Sequence, residues 1–185
     1  MPDAAVDTET ARWLDSEQQA TWRAFLSGTT RLFDRLDRDL RVHHGISLPE
    51  YEILVRLSEA SGRRLRMAEL ASSLAHSRSR VTHTVSRLEQ LGAVVREACS
   101  TDGRGVEAVL TEAGRQRLVD AAPVHVAGVR EHLVDLVDRK DLVVVGRVFG
   151  ATAAHLADDC DDGGRGTGPP DPPRRSGRQS RVSLR

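Results

Sequence analysis

The sequence predicts a mainly α-helical fold, of the α+β type, with about six helices and one small two-stranded hairpin. Along most of the 185 residues, apolar side chains recur at spacings of three and four, which is the period of an α-helix. Residues that can cap a helix precede several of these stretches. One segment instead has the pattern strand, turn, strand. Since only 3% of the residues are aromatic, aliphatic side chains must supply most of the core.

The first and longest helical pattern runs from Ala11 to Val42, and Gly45 ends it. No proline interrupts the pattern. About 30 residues at 1.5 Å each make a helix of roughly 45 Å, which exceeds the usual length in a globular domain. We therefore expect the segment 11–44 to pack against more than its own small domain.

Two shorter helices are predicted to follow. Ser47 can cap the first of them, and Glu50 stands where it completes a capping box. Ser61 and Gly62 end that helix. The second helix covers about residues 66–74, and a turn then separates it from the next helical pattern.

The fourth predicted helix, about residues 78–91, carries the candidate functional face. Ser77 caps it and Gly92 closes it. Its inward stripe is Val81, Val85, Leu88 and Leu91. Its outward set combines short polar side chains with arginines: Ser77, Arg78, Ser79, Arg80, Thr82, His83, Ser86 and Arg87. Between residues 77 and 90 only Glu89 is acidic.

A hairpin and two more helices complete the predicted order. The strands are 93–98 and 106–110, and Thr111 caps a helix that continues to about Val137. Pro123 should kink that helix or split it in two. A last helix is expected from Asp138 to about Ala157. Residues 143–145 could form a strand instead, but the longer helical period favours a helix.

The composition limits the possible functions. Formal net charge is zero, but residues 61–117 contain ten arginines against six acidic residues, a net of +4. Basic charge is therefore concentrated in the middle of the chain, where a surface that binds phosphate would need it. No leader sequence or long apolar run is evident, which favours a cytoplasmic protein. No arrangement of residues suits catalysis, a cofactor or a metal, and Cys99 and Cys160 lack metal or disulfide spacing.

Helix, turn, capped helix and hairpin in that order predict a winged helix-turn-helix, whose second helix can enter a DNA major groove about 12 Å wide. Short hydroxyl side chains permit a close approach, and arginine reaches phosphates or the acceptor edge of guanine. The alternative is an amphipathic core helix with an ordinary solvated face. Such a face would usually carry more glutamate, lysine or alanine.

At these residues the chain resembles the MarR family of bacterial regulators, over about residues 12–156. The resemblance is carried by residues 65–71, 77–83 and 87–89, by Gly92, and by Asp102, Arg104, Leu110, Thr111, Ala113 and Gly114. It implies a homodimer whose terminal helices interlock, with a reading lobe at 47–111 and dimerisation helices at 11–44 and 112–157. The implied partner is a pseudo-palindromic double-stranded DNA operator, with no membrane partner.

The resemblance also assigns roles in the wing and implies an effector. Asp102 would brace the wing, and Arg104 would enter the minor groove. Many members have a second arginine where this chain has Gly103, so the wing contact should be weaker here. A small aromatic or phenolic effector is implied between the dimer frame and the reading lobes, where it would relieve repression.

Several residues have two possible interpretations. Trp22, His43 and Tyr51 could line the effector pocket, but core packing of the two aromatics and helix capping by His43 are the simpler alternatives. Cys99 could be redox-active beside two arginines, but a structural role is the simpler alternative. Residues 1–10 should be frayed, and residues 158–185, rich in Gly, Pro and Arg, should be disordered. A winged-helix module that binds protein is the competing function.

Overall fold

The computed structural model describes residues 11–99 and 105–162, with side chains up to residue 157. The helices of this part are α1 (Ser16–His44), α2 (Leu48–Glu59), α3 (Met67–Ser73), α4 (Arg78–Gln90), α5 (Glu112–His132) and α6 (Arg139–Asp162). The strands are β1 (Arg64–Arg66), β2 (Val94–Ala98) and β3 (Val106–Leu110), and single 3-10 turns lie at Ser61–Arg63 and Val134–Leu136. The chain divides into two compact units after Val137, so α6 is described by itself. The predicted mainly α fold is confirmed.

The long helix α1 begins at Ser16, five residues later than predicted from Ala11. Asp15 fixes this start, because its Oδ1 accepts a 2.8 Å hydrogen bond from the Gln18 backbone N–H. The Gln18 side chain in turn accepts one from the Asp15 backbone N–H. Gly45 ends the helix as predicted, in the left-handed region that glycine adopts without strain.

One core joins α1, α2, α3, α4, α5 and the sheet. Helix α2 supplies its centre, and Leu36 and Leu40 of α1 cover one side of it. Gly128 on α5 lets that helix approach α1 closely, since a Cβ there would lie 2.8 Å from Leu36 Cδ2. The fully buried large apolar side chains are Leu40, Ile46, Ile53, Leu54, Leu57, Leu70, Leu88, Val81, Val85 and Val94.

The sheet has three strands in the order β1-β3-β2, all antiparallel, rather than the predicted two. The sequence does not indicate strand β1, because three residues are too few to show alternation and the partner strand β3 lies more than forty residues away. Glu97 and Glu107 stand directly opposite each other on β2 and β3. The Arg64 guanidinium lies 3.2 and 3.4 Å from these carboxylates, so β1 supplies the charge that offsets their repulsion.

Helix α5 passes through Pro123 without a break, so the proline does not split it as one alternative predicted. Pro123 has no N–H to donate to the carbonyl of Val119, four residues earlier. Both residues are exposed, so water can reach that carbonyl. The helix ends at His132, five residues before the predicted end. Helix α6 includes residues 143–145, which confirms helix over strand there, and it continues to Asp162 into the segment expected to be disordered.

The start of α5 is tied to the end of α4. Thr111 caps α5, because its hydroxyl accepts a 2.9 Å hydrogen bond from the Gly114 N–H and donates at 2.7 Å to the Gly92 carbonyl. The Thr111 N–H donates to the Ala93 carbonyl at 3.1 Å. A Cβ at Gly114 would overlap the same Ala93 carbonyl oxygen. Glycine is therefore required by the closeness of two backbones.

Candidate functional site

Helix α4 buries one side and presents the other to solvent. Val81, Thr84, Val85 and Leu88 are buried. Leu91 is 38% exposed, which corrects its assignment to the inward stripe: it is the C-cap residue beyond the last turn of α4, and Gly92 then turns the chain in a left-handed conformation. The exposed predicted contacts are Ser77, Arg78, Ser79, Arg80, Thr82, His83 and Arg87, whereas Ser86 is half-buried.

Two arginines near the start of α4 extend from this face. Among the residues that the structure describes, neither the Arg78 nor the Arg80 guanidinium has an ion-pair partner. Ser77 caps the helix by accepting a 3.3 Å hydrogen bond from the Arg80 N–H, and its hydroxyl lies 3.2 Å from that of Ser79. Cationic side chains beside the N-terminal N–H groups of a helix make a surface suited to phosphate.

Ser86 and Glu89 are held within the protein by a residue that the sequence did not indicate. Arg96 Nη2 on β2 donates to the Thr82 carbonyl at 2.8 Å and to Ser86 Oγ at 3.0 Å. Ser86 Oγ also donates to the Thr82 carbonyl at 3.0 Å. Arg96 Nη1 lies 3.1 Å from the Glu89 carboxylate. The hydroxyl predicted to face DNA is therefore already hydrogen-bonded, and the one acidic side chain of α4 is paired.

Arg87 also bonds within the protein. Its Nε donates at 2.8 Å to Oε1 of Glu50, a carboxylate on α2 that is only 1% exposed. The Arg87 side chain remains half-exposed on the outer face of α4. The sequence indicated Glu50 as part of a capping box but carried no signal for a partner 37 residues away.

The wing residues Asp102 and Arg104 lie outside the described residues, so their roles stay predictions. The base of the hairpin is described. The Cys99 N–H donates to the Gly105 carbonyl at 2.8 Å. Cys99 is buried, and its Sγ lies 3.5 Å from Glu107 Oε1. This burial favours the structural interpretation of the cysteine over a reactive one.

The three residues proposed for an effector pocket do not line a common cavity within one protomer. Trp22 is half-exposed and packs on Phe25, with ring centroids 5.4 Å apart. His43 is exposed in the last turn of α1. Trp22 and His43 stand roughly 31 Å apart along that helix at 1.5 Å per residue. Tyr51 is buried and packs on His125, with ring centroids 4.5 Å apart.

Two cavities flank α2 instead. A cavity of about 560 Å³ lies between α1, α2 and the turn before α4, and Arg80 reaches it from the outer face of α4. Burial and the neighbouring charge of Arg80 lower the pKa of His76, which also lines this cavity. A smaller cavity of about 200 Å³ is lined by Tyr51 and His125. Apolar walls of the larger cavity come from Phe33, Leu48, Pro49 and Leu74.

The surroundings of His125 favour its neutral form. Burial against Tyr51 lowers its pKa, and its Nδ1 has no hydrogen-bond partner among the described residues. The unfolded chain therefore takes up this proton first as the pH falls, near the ordinary histidine pKa of about 6.5. The stability contributed by neutral His125 is complete above that pH and is lost below it.

We expect the free energy of unfolding to decrease as the pH is lowered through about 6.5. His125→Gln should reduce this dependence, and His76 should supply a second contribution of the same sign because its pKa is also lowered. Urea unfolding at one fixed protein concentration, over a pH series from about 8 to about 5.5, measures the effect. An identical pH dependence for the wild-type and His125→Gln proteins would contradict it.

Residues 11–99 and 105–162 lack two other kinds of feature. No cluster of three or more His, Cys, Asp or Glu residues is arranged to hold a metal ion. No helix there combines the length and apolar character needed to cross a membrane.

Known proteins with a similar sequence share this fold and its central segment. The sequence model described as "MarR family" matches residues 44–105, which contain α2, α3, α4 and β2. The HTH-type transcriptional regulator TtmR of Methylorubrum extorquens (strain PA1) is 33% identical over 105 residues, which are 56% of this chain and 53% of TtmR. The match thus spans about half the length of such curated relatives.

Two solved structures from Streptomyces coelicolor match over most of their length. AbsC, a MarR family transcriptional regulator, is 41% identical, and the match covers 79% of this chain and 98% of AbsC with a TM-score of 0.75. Sco3205, a MarR family transcriptional regulator solved in complex with DNA, is 40% identical over 78% of this chain and 94% of its own, with a TM-score of 0.76. With this identity over nearly the whole of a solved relative, the chain belongs to the MarR family of transcriptional regulators.

Proposed function

We propose that this chain is a sequence-specific, double-stranded-DNA-binding transcriptional regulator that acts as a repressor in the cytoplasm, and that its activity is binding rather than catalysis. The exposed face of α4 carries the proposal, because Arg78 and Arg80 extend from its start without ion-pair partners among the described residues. Glu89, the one acid of α4, is neutralised by Arg96. The DNA complex of Sco3205, 40% identical, supports the same use of this fold.

The geometry of α4 suggests how the reading would work. Ser79, Thr82 and His83 are short or planar polar side chains on the exposed face, so the helix backbone can approach base edges closely. Arg80 can reach guanine or phosphate from the same face. Arg104, at the predicted wing tip, would contact the minor groove or the backbone, where sequence information is degenerate.

We propose a homodimer as the binding unit. Both α1 and α6 expose large apolar side chains that a single small domain leaves uncovered. Two copies would present two α4 helices to successive major grooves, which matches a pseudo-palindromic operator. The exposed apolar side chains of the two helices include Trp22, Leu26, Phe33, Val143, Val144, Val148, Phe149 and Leu156.

Sedimentation at micromolar concentration should therefore report about twice the mass of one chain, because an apolar surface of this extent is stable only when it is covered. The same sample should show no concentration-dependent monomer in the low micromolar range. A clean monomer would remove the dimeric architecture from the proposal while leaving the single α4 face intact.

The experiment for the function itself is binding of the upstream region of the chain's own gene. A gel-shift titration should show retardation of that duplex at protein concentrations that leave a scrambled duplex of equal composition free. Equal binding to both duplexes, or to neither, would contradict a sequence-specific regulator. The competing function, a module that binds protein, would require exposed aromatic or aliphatic side chains on α4, and its outward face carries none of Phe, Tyr or Trp.

We also propose that a small aromatic or phenolic effector releases the DNA, and that it occupies the cavity of about 560 Å³ beside α2. Its apolar wall would take the ring, and Arg80 would be drawn away from DNA by a polar or anionic group of the same molecule. A panel of such compounds should raise the melting temperature and lower the fraction of bound duplex. Compounds that do neither would contradict an effector of this class.

A further inference from the structure

The carboxylate of Glu50 is one of the most enclosed charged groups among the described residues, at 1% exposure. Its Oε2 accepts hydrogen bonds from the Ser47 N–H at 2.6 Å and from the Ser47 hydroxyl at 2.8 Å. Its Oε1 accepts from Arg87 Nε at 2.8 Å. A capping box alone would use Oε2, so the second oxygen is left for a residue of α4.

Hydrogen bonds also connect the start of α2, where this carboxylate lies, to the last part of α1. Asp37 Oδ1 accepts a 2.8 Å hydrogen bond from the Leu48 N–H, and Asp37 Oδ2 pairs with Arg41 at 2.6 Å. Leu48 follows directly after Ser47, whose backbone and hydroxyl bind Glu50. Hydrogen bonds of side chains and backbone thus connect α1 to the start of α2, and Glu50 connects the start of α2 to α4.

Arg87 is the residue through which these hydrogen bonds reach the exposed face of α4. It lies on the exposed side of α4 with Thr82 and His83, and half of its side chain is open to solvent. Its Nε donates a hydrogen bond to Glu50, and this bond fixes the plane and direction of the guanidinium. Breaking the pair would leave the Glu50 carboxylate, at 1% exposure, as a buried charge without its cationic partner, which favours the paired geometry.

We propose that Glu50 is a positioning residue for operator recognition: through Arg87 it fixes the position of α4 relative to α1 and α2. In this role Arg87 bonds to Glu50 and makes no base contact. Glu50 is buried and cannot touch DNA. Its effect on DNA binding would therefore pass through the placement of Ser79, Arg80, Thr82 and His83. The inference rests on the proposed DNA-binding function.

The test compares Glu50→Gln and Arg87→Gln with Ile53→Val. Glu50→Gln keeps the shape and removes the charge that holds Arg87. Arg87→Gln removes the same pair from the exposed side, and Arg87→Lys keeps the charge but lacks Nε. Ile53→Val removes one methyl group from a fully buried side chain of α2 and leaves Ser47, Glu50 and Arg87 in place, so it controls for a simple loss of stability.

The probes are a duplex that the wild-type protein selects from a randomised pool and a scrambled duplex of the same composition. Glu50→Gln and Arg87→Gln should each weaken the selected duplex by roughly tenfold and the scrambled one by less than about twofold, with no more loss in the double variant. The salt dependence should keep its slope, because no phosphate contact is removed. Arg87→Lys should recover part of the loss, and Ile53→Val should bind as wild type does.

Two results would overturn the inference. If Arg87→Gln weakens both duplexes equally and lowers the salt slope while Glu50→Gln binds normally, Arg87 is a direct backbone contact. If Ile53→Val reproduces the loss of selectivity, Glu50 acts through general stability alone. Should Glu50→Gln fail to fold, the selectivity and salt slope of Arg87→Gln and Arg87→Lys decide between the two roles. A wild-type protein that selects no duplex would instead remove the proposed function.

Discussion

Gly114→Ala is expected to lower the free energy of unfolding by about 3 kcal/mol, at the upper end for an added methyl group. The new Cβ would overlap the Ala93 carbonyl oxygen and lie 2.8 Å from Leu110 Cδ1. The carbonyl cannot move away easily, because it accepts the Thr111 N–H that joins the hairpin to α5. The protein must either part the two backbones or lose that hydrogen bond.

Chemical denaturation at fixed protein concentration measures this loss, with Gly128→Ala as the matched control. A Cβ at Gly128 would also be close to a neighbour, but that neighbour is the end of the Leu36 side chain, which can rotate. Gly128→Ala should therefore cost less than Gly114→Ala. Equal losses in the free energy of unfolding would show that the contact between the Gly114 and Ala93 backbones does not determine the cost of the added methyl group.

Arg80→Ala is expected to cost about 1–3 kcal/mol on the preferred DNA site and to relax the preference at one base pair. The Arg80 guanidinium is exposed near the start of α4, and it has no ion-pair partner in residues 11–99 and 105–162. Its loss removes a base contact from the surface on which the proposal depends. Arg104→Ala should differ, because the loss of a wing contact with the DNA backbone weakens binding to most sequences by a similar factor.

The sequence predicted those parts of the fold whose signals are local. Ser47, Ser77 and Thr111 start helices as expected, because a cap depends only on the next three residues. Gly45 likewise ends α1 through its own backbone conformation. The apolar period predicts too early a start for α1, because it continues upstream of Asp15 and a period alone does not fix where a helix begins.

The parts that the sequence could not predict depend on contacts between distant residues. Glu50 and Arg87 are 37 positions apart, and nothing near either residue indicates the other. Arg96 likewise carries no sequence signal for a contact with α4, yet its hydrogen bonds withdraw Ser86 from the exposed face of that helix. Tyr51 packs in the core, as one of its two interpretations predicts, but its neighbour His125 lies on a helix that the pattern does not place beside it.

The candidate site that remains is smaller than the predicted one. Arg78, Ser79, Arg80, Thr82 and His83 are exposed on the first two turns of α4. Ser86 and Arg87, the two later residues of the predicted face, are hydrogen-bonded to Arg96 on β2 and to Glu50 on α2, respectively. Base reading is therefore expected from the N-terminal half of α4, which is the half that enters a groove first in helix-turn-helix proteins.

The central claim is that this half of α4 reads bases, and one titration tests it most directly. Wild-type and Arg80→Ala proteins are titrated against the selected duplex and the scrambled duplex at several salt concentrations. Arg80→Ala should lose affinity for the selected duplex by about tenfold or more, keep its affinity for the scrambled duplex, and accept more than one base pair at one position. Equal weakening of both duplexes, with a salt slope lowered by about one per subunit, would show that Arg80 binds only the backbone and would contradict the claim.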